Sequence, residues 1–141
     1  MDILAIIGAV FQPDVMIALI LGLIVSIIMG ALPGLSASMA VALLIPVTFG
    51  MSPVAGLVML TGVYTGAVYG GSITAILLHT PGTPASAATA IDGYELAKQG
   101  QGFKAIGVAT ISSVIGGTIS ALALMFLSPP LATIALKFGP L

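Results

Sequence analysis

The sequence predicts an all-α fold: a polytopic transmembrane helical bundle with broken or re-entrant helices. Three observations predict it. From Val15 to Ile91 the chain runs 77 residues without one Lys, Arg, Asp or Glu. A water-soluble surface cannot be built that way, since about a quarter of a soluble domain's residues are charged. Hydrophobic residues make up 59% of the chain and charged ones 5%, and the mean hydropathy is +1.28. The apolar sequence also falls into helix-length blocks separated by Pro33-Gly34, Pro81-Gly82 and Pro129-Pro130. With 141 residues, one membrane domain of about four crossings fits, each crossing needing ~20 apolar residues.

Each element follows in order. Residues 2–12 place Ile3, Leu4, Ile6, Ile7, Val10 and Phe11 at helical spacing, which predicts an interfacial helix lying on the membrane; a frayed terminus is the alternative. Residues 15–32 form the first span, ~27 Å at helical rise, and Pro33-Gly34 breaks it. Residues 34–48 are apolar but only ~22 Å long as a helix, so they predict a short or re-entrant span. Residues 54–78 are long enough to cross with tilt, and Gly70-Gly71 predicts a loosening of that helix. Residues 80–104 form a connection that includes a helix. Its first part, Thr80 to Thr89, carries no charge and reads as irregular backbone at depth. Its second part holds Asp92, Glu95, Lys98 and Lys104, and the two lysines place it in the cytoplasm. Residues 105–127 make another span, ended by Ser128-Pro129-Pro130. Residues 131–141 begin a further, incomplete span.

Three spans carry small residues at every fourth position: Gly22, Ser26 and Gly30; Gly62, Gly66 and Gly70; Ala109, Ser113, Gly117 and Ala121. In lipid, such ridges allow close backbone approach, which predicts tight helix packing.

Several function classes are excluded by composition. There is no cysteine, so disulfides and thiolate metal sites do not arise. A net charge of −1 argues against a nucleic-acid partner. No base lies among the first dozen residues, unlike a secretory signal. No nucleophile–base pair, metal-ligand cluster or phosphate loop is visible, so no enzyme and no resident cofactor are expected.

Two breaks are the candidate sites. At the first, Pro33 lacks an amide hydrogen and Gly34 permits unusual backbone angles. A helix restarting near Leu35 would aim amides back at the break, with hydroxyls from Ser36 and Ser38, an arrangement that holds a carboxylate without a basic side chain. A plain surface turn is the alternative. The second runs from Tyr69-Gly70-Gly71-Ser72 through His79-Thr80-Pro81-Gly82-Thr83-Pro84, followed by Ser86 and Thr89. It offers carbonyls, amides and hydroxyls for a cavity lining, with an ion site possible; a surface loop is the alternative. His79 is the one side chain able to change charge near neutral pH, and a packing role is the simpler account of it.

At these breaks the sequence resembles the large membrane subunit of the tripartite tricarboxylate transporter family. The resemblance lies in Gly30-Ala31-Leu32-Pro33-Gly34-Leu35 running to Leu43-Leu44-Ile45-Pro46-Val47-Thr48, and in Gly62-Val63-Tyr64-Thr65-Gly66-Ala67-Val68-Tyr69-Gly70-Gly71-Ser72-Ile73. It continues through Thr80-Pro81-Gly82-Thr83-Pro84-Ala85-Ser86 to Thr89-Ala90-Ile91-Asp92-Gly93-Tyr94. It implies an N-terminal portion of a larger two-half permease in the bacterial inner membrane. That permease would take up tricarboxylates or related carboxylates by alternating access, coupled to a sodium or proton gradient. The implied partners are a small membrane subunit, a periplasmic substrate-binding protein and the remainder of the permease. The implied site comprises Pro33, Gly34, Leu35, Ser36, Ser38, Gly71, Ser72, Thr80, Pro81, Gly82 and Thr83; a metal ligand set is not defined. The chain departs from the family pattern in having His79 where an asparagine is expected before Pro-Gly, and in being several times shorter. A pore-forming oligomer and a non-transporting membrane scaffold are the alternative functions.

Overall fold

A computed structural model describes residues 3–137, with side chains from Ile6 to Thr133. Residue 2 of the expected interfacial helix and residues 138–141 of the expected last segment lie outside the described residues. Among the described residues there are helices and turns and no strand. Three helical segments are long and apolar enough to cross a membrane, and the chain is a multi-pass membrane protein. It comprises two compact units, Met1–Gly107 and Val108–Leu141.

The first unit holds α1 (Ile3–Val10), α2 (Pro13–Ala31), α3 (Ala37–Thr48), α4 (Pro53–Leu78) and α5 (Ala87–Leu96). Pro13 and Pro53 each sit at a helix start, where the missing amide hydrogen costs nothing. Ser36 and Ser52 cap α3 and α4, accepting hydrogen bonds from the Met39 and Ala55 amides at 3.2 and 3.3 Å.

The core is the crossing of α2 and α4, and the two small-residue ridges meet there. A methyl group on Gly22 would stand 3.0 Å from Met59 Cγ, and one on Gly62 would press on Leu19. Gly66 abuts the Ser26 hydroxyl, Gly30 abuts the Ala67 backbone, and Gly70 abuts the Ile27 carbonyl. The early part of α2 meets the early part of α4 (Leu19 with Gly62) and the late part meets the late part (Ile27 with Gly70), so α2 and α4 run in the same direction. Two parallel neighbours need a connection that returns across the bundle, and α3 is that return. It leaves the end of α2 and brings Thr48 against Gly56 near the start of α4. At ~18 Å α3 is shorter than the ~30 Å hydrocarbon layer. The short segment is therefore a brief return stroke. Val15, Ala18, Ala37, Ala40, Ala55, Met59, Val63 and Ala67 form the buried cluster. These are mostly small side chains, consistent with cohesion by close approach rather than by bulk.

Two local expectations are corrected. The α4 helix does not loosen at Gly70-Gly71; it continues to Leu78. Both glycines are buried, and they serve the approach of the Ile27 carbonyl and of Thr83. Close packing outweighs the ~1 kcal/mol helix propensity cost of glycine. Nor does Ser128-Pro129-Pro130 end the last helix.

That helix, α6 (Gly102–Lys137), starts after a π turn at Ala97–Gln101 in which Gly100 takes φ +77°. It contains Pro129 and Pro130 in its interior. Pro129 and Pro130 free the Met125 and Phe126 carbonyls, a loss that membrane helices tolerate; Thr133 Oγ1 donates to the Pro129 carbonyl at 3.0 Å. Every side chain from Ile111 to Thr133 is exposed, including the third small-residue ridge from Ser113 onward.

Candidate functional site at the two helix breaks

The first break is a hydrogen-bonded turn. The Leu35 amide donates to the Leu32 carbonyl at 3.2 Å. Pro33 occupies the second position of the turn and Gly34, at φ +97°, the third. That is the pattern of a type II turn, where a positive φ calls for glycine or asparagine. A methyl group on Gly34 would meet nothing within 4 Å, so the glycine is there for its dihedral angle and not for space. The helix restarts at Ala37 rather than near Leu35, because Ser36 is the cap. Ser36 engages the Met39 amide, while the Ala37 and Ser38 amides belong to the first turn and have no partner within the helix. Pro33, Gly34, Ser36 and Ser38 are exposed and Leu35 is half-buried.

The second break begins at His79, the one described non-glycine residue with positive φ, at +55°. The His79 and Thr80 amides both donate to the Thr74 carbonyl, which ends α4 in a left-handed turn. The chain then folds back along α4. The Gly82 amide donates to the Gly71 carbonyl at 3.5 Å, so the loop has retreated ~10 Å from Leu78 along the helix. Gly82 packs against the Gly30 carbonyl and 3.0 Å, measured from an added methyl carbon, from Gly71 Cα. Here no unusual dihedral is involved, and the glycine is required for space.

Thr83 and Ser86 lock this re-entrant loop. Both are buried. The Ser86 hydroxyl donates to the Thr83 carbonyl at 2.7 Å, accepts from the Thr83 amide at 3.1 Å and lies 3.3 Å from the Thr83 hydroxyl. One donor and two acceptors are all that a hydroxyl offers. No buried side-chain nitrogen or oxygen among the described residues lacks a partner. From Ala87, α5 turns and runs beside the last turns of α4, with Gly93 against Ile76.

The two breaks thus converge. Gly30, which leads into the first, touches Gly82 of the second, and Pro33-Gly34 follows within three to four residues, no more than ~14 Å of chain. The expected site residues fall into two groups. Gly71, Gly82 and Thr83 are packed into a knot with Gly30, while Pro33, Gly34, Ser36, Ser38, Thr80 and Pro81 are exposed beside it. Ser72 is half-buried, and its hydroxyl donates to the Val68 carbonyl at 3.3 Å. The sequence reading placed Ser86 among the hydroxyls of the second break but did not identify it as the residue that locks the loop. Its signal was the Thr-Pro-x-Ser spacing, with a hydroxyl at the cap and another three residues on.

His79 is exposed and stacks on Tyr94, with ring centroids 4.4 Å apart. Lys98 Nζ lies 4.7 Å from the other ring's centroid, that of Tyr94, and 2.8 Å from Glu95. The structure gives His79 a helix-ending role. Asparagine, the residue expected there, suits a left-handed position for the same reason as histidine does.

The sequence profile described as "Tripartite tricarboxylate transporter TctA family" matches residues 16–141. A curated protein of Agrobacterium vitis, named "Uncharacterized 52.8 kDa protein in TAR-I ttuC' 3'region", is 47% identical over 118 residues. That match covers 84% of this chain and 24% of the relative, so the chain spans about a quarter of the length of the curated relative it matches. No solved structure matches the chain.

Proposed function

Because the chain belongs to the tripartite tricarboxylate transporter TctA family, we propose that it forms the N-terminal portion of a permease for tricarboxylates or related carboxylates. The permease works in the bacterial inner membrane with a small membrane subunit and a periplasmic binding protein that delivers substrate. Uptake is driven by a sodium or proton gradient through alternating access.

The observation that carries this reading is the convergence of the two breaks at Gly30, Gly71 and Gly82. No Lys or Arg lies between Asp14 and Asp92, so a multiply charged anion must be balanced by other means. A helix start supplies ~0.5 of an elementary charge. The Ala37, Ser38 and Gly34 amides and the Ser36, Ser38 and Thr80 hydroxyls are the donors available. The packed group holds them in register. A co-bound cation, taken by carbonyl and hydroxyl oxygens, completes the charge balance; among the described residues no three of His, Cys, Asp or Glu converge on a metal.

The test is uptake of radiolabelled citrate by cells carrying the complete transporter. Saturable uptake that collapses with the cation gradient and is abolished by Gly34→Val, with membrane insertion intact, is the expected result. Ohmic, gradient-independent flux would instead identify a pore. Absence of any carboxylate binding would identify a scaffold, and full uptake by Gly34→Val would remove the site.

A further inference from the structure

The face of α4 turned away from α2 exposes Thr61, Tyr64 and Thr65 beside Leu57, where the exposed side of α2 is aliphatic. Its packed face is Ala55, Met59, Gly62, Gly66 and Gly70. On the opposite side Thr61, Tyr64 and Thr65 are exposed, and Ser72 continues the same stripe two turns on. On α2, which runs beside α4 in the same direction, the exposed positions are Ile17, Ile20, Leu21, Ile24 and Ile28. The two helices share the same depth, so depth cannot account for the difference.

Lipid is a poor neighbour for that stripe. Tyr64 is ~17 Å from the start of a 26-residue helix, near its middle, whereas tyrosine in membranes favours the two interfaces. Polar side chains at mid-membrane face the bundle interior or a water-filled cavity. The hydroxyl chemistry narrows the occupant. Thr61 Oγ1 donates to the Leu57 carbonyl at 2.8 Å, and Thr65 Oγ1 donates to the Thr61 carbonyl at 2.9 Å. With their donors committed to the helix, the two threonine oxygens present only acceptor lone pairs outward, while the Tyr64 hydroxyl can donate or accept. Acceptors suit water and hard cations, which take oxygen ligands, and they do not suit a carboxylate.

We infer that the Thr61–Tyr64–Thr65 face of α4 lines a water-filled path for a hydrated cation, ending at Ser72 beside the glycine knot. The inference extends the transport reading but is read out without transport. The chain has no cysteine, so a single introduced thiol is a clean reporter. Thr61→Cys, Tyr64→Cys and Thr65→Cys, with Ile24→Cys and Ile28→Cys on α2 as controls, are made in the full protein in native membranes. Each is reacted with membrane-impermeant thiosulfonates, one cationic and one anionic. Only the thiolate reacts, and each unit by which apolar surroundings raise a thiol pKa slows the reaction about tenfold. The expected result is labelling at 61 and 65 at least ~10-fold faster than at 24 and 28, with the cationic reagent ahead. Tyr64→Cys supports the result should either threonine variant fail to insert. Rates at 61, 64 and 65 equal to those at 24, or a faster anionic reagent, would overturn the inference. Rapid labelling in a protein that takes up no carboxylate would sink the transport reading alone. Uptake with an unlabelled stripe would sink this inference alone.

Discussion

Gly34 and Gly82 look alike in sequence, each following a proline, yet the structure requires them for opposite reasons, and a pair of asparagine substitutions separates the two. At Gly82 a methyl group would drive into the Gly30 carbonyl and stand 3.0 Å from Gly71 Cα. Both obstacles are backbone and cannot rotate aside. The loop must withdraw, at an overpacking cost of ~1–3 kcal/mol. Withdrawal also breaks the Gly82–Gly71 hydrogen bond, worth ~1 kcal/mol. Gly82→Ala should therefore cost ~2–4 kcal/mol, and the larger Gly82→Asn at least as much. At Gly34 there is open space but φ is +97°. Gly34→Ala should cost ~1–2 kcal/mol in backbone strain, while Gly34→Asn should recover most of that because asparagine accepts this turn position. The assay is the midpoint of detergent-induced unfolding, followed by far-ultraviolet circular dichroism on the purified protein. Asparagine should rescue position 34 and fail at position 82. Equal tolerance at both, or rescue at 82 alone, would refute the close approach of the two breaks.

Further expectations use the same unfolding assay. Ser86→Ala strips the Thr83 amide and hydroxyl of a buried partner and should cost ~1–3 kcal/mol; a neutral result would mean the loop is not locked by this pair. His79→Val places a β-branched residue at φ +55° and should lose ~1–2 kcal/mol. His79→Asn should be neutral or stabilising, and a loss on that change would point to the Tyr94 stack as the dominant role. Gly66→Val collides with the buried Ser26 hydroxyl and should cost ~1–3 kcal/mol, whereas Gly107→Val, in open space, should cost far less.

Much of this was legible because lipid allows few solutions. A charge-free run with prolines at its joints reads as helices, since backbone groups in hydrocarbon must be satisfied within each segment. The ridge Gly22, Ser26 and Gly30 and its counterpart Gly62, Gly66 and Gly70 were visible as packing surfaces, and they meet. The misreadings share one cause. Gly70-Gly71 and Pro129-Pro130 were both judged by local propensity, and the helix runs through both. At Gly71 the approach of Thr83 demands a residue without a side chain. At Pro129-Pro130 the helix continues to Lys137 although the Met125 and Phe126 carbonyls lose their amide partners. The Thr83–Ser86 spacing was a local capping signal, but that the pair is buried and holds a loop folded back on α4 came only from the fold.

By itself the sequence determined the solvent, the helical class, the helix breaks around Pro33-Gly34 and Pro81-Gly82 and the family, since hydropathy, missing amide hydrogens and motif order are properties of the chain alone. Only the tertiary structure decided that α2 and α4 run parallel with α3 as the return between them. It alone brought Gly82 back to Gly30 and Gly71, and it alone left Thr61 and Thr65 facing outward. Direction, depth and the facing of a stripe depend on which backbones touch, and contact between residues fifty positions apart is not encoded in any local pattern.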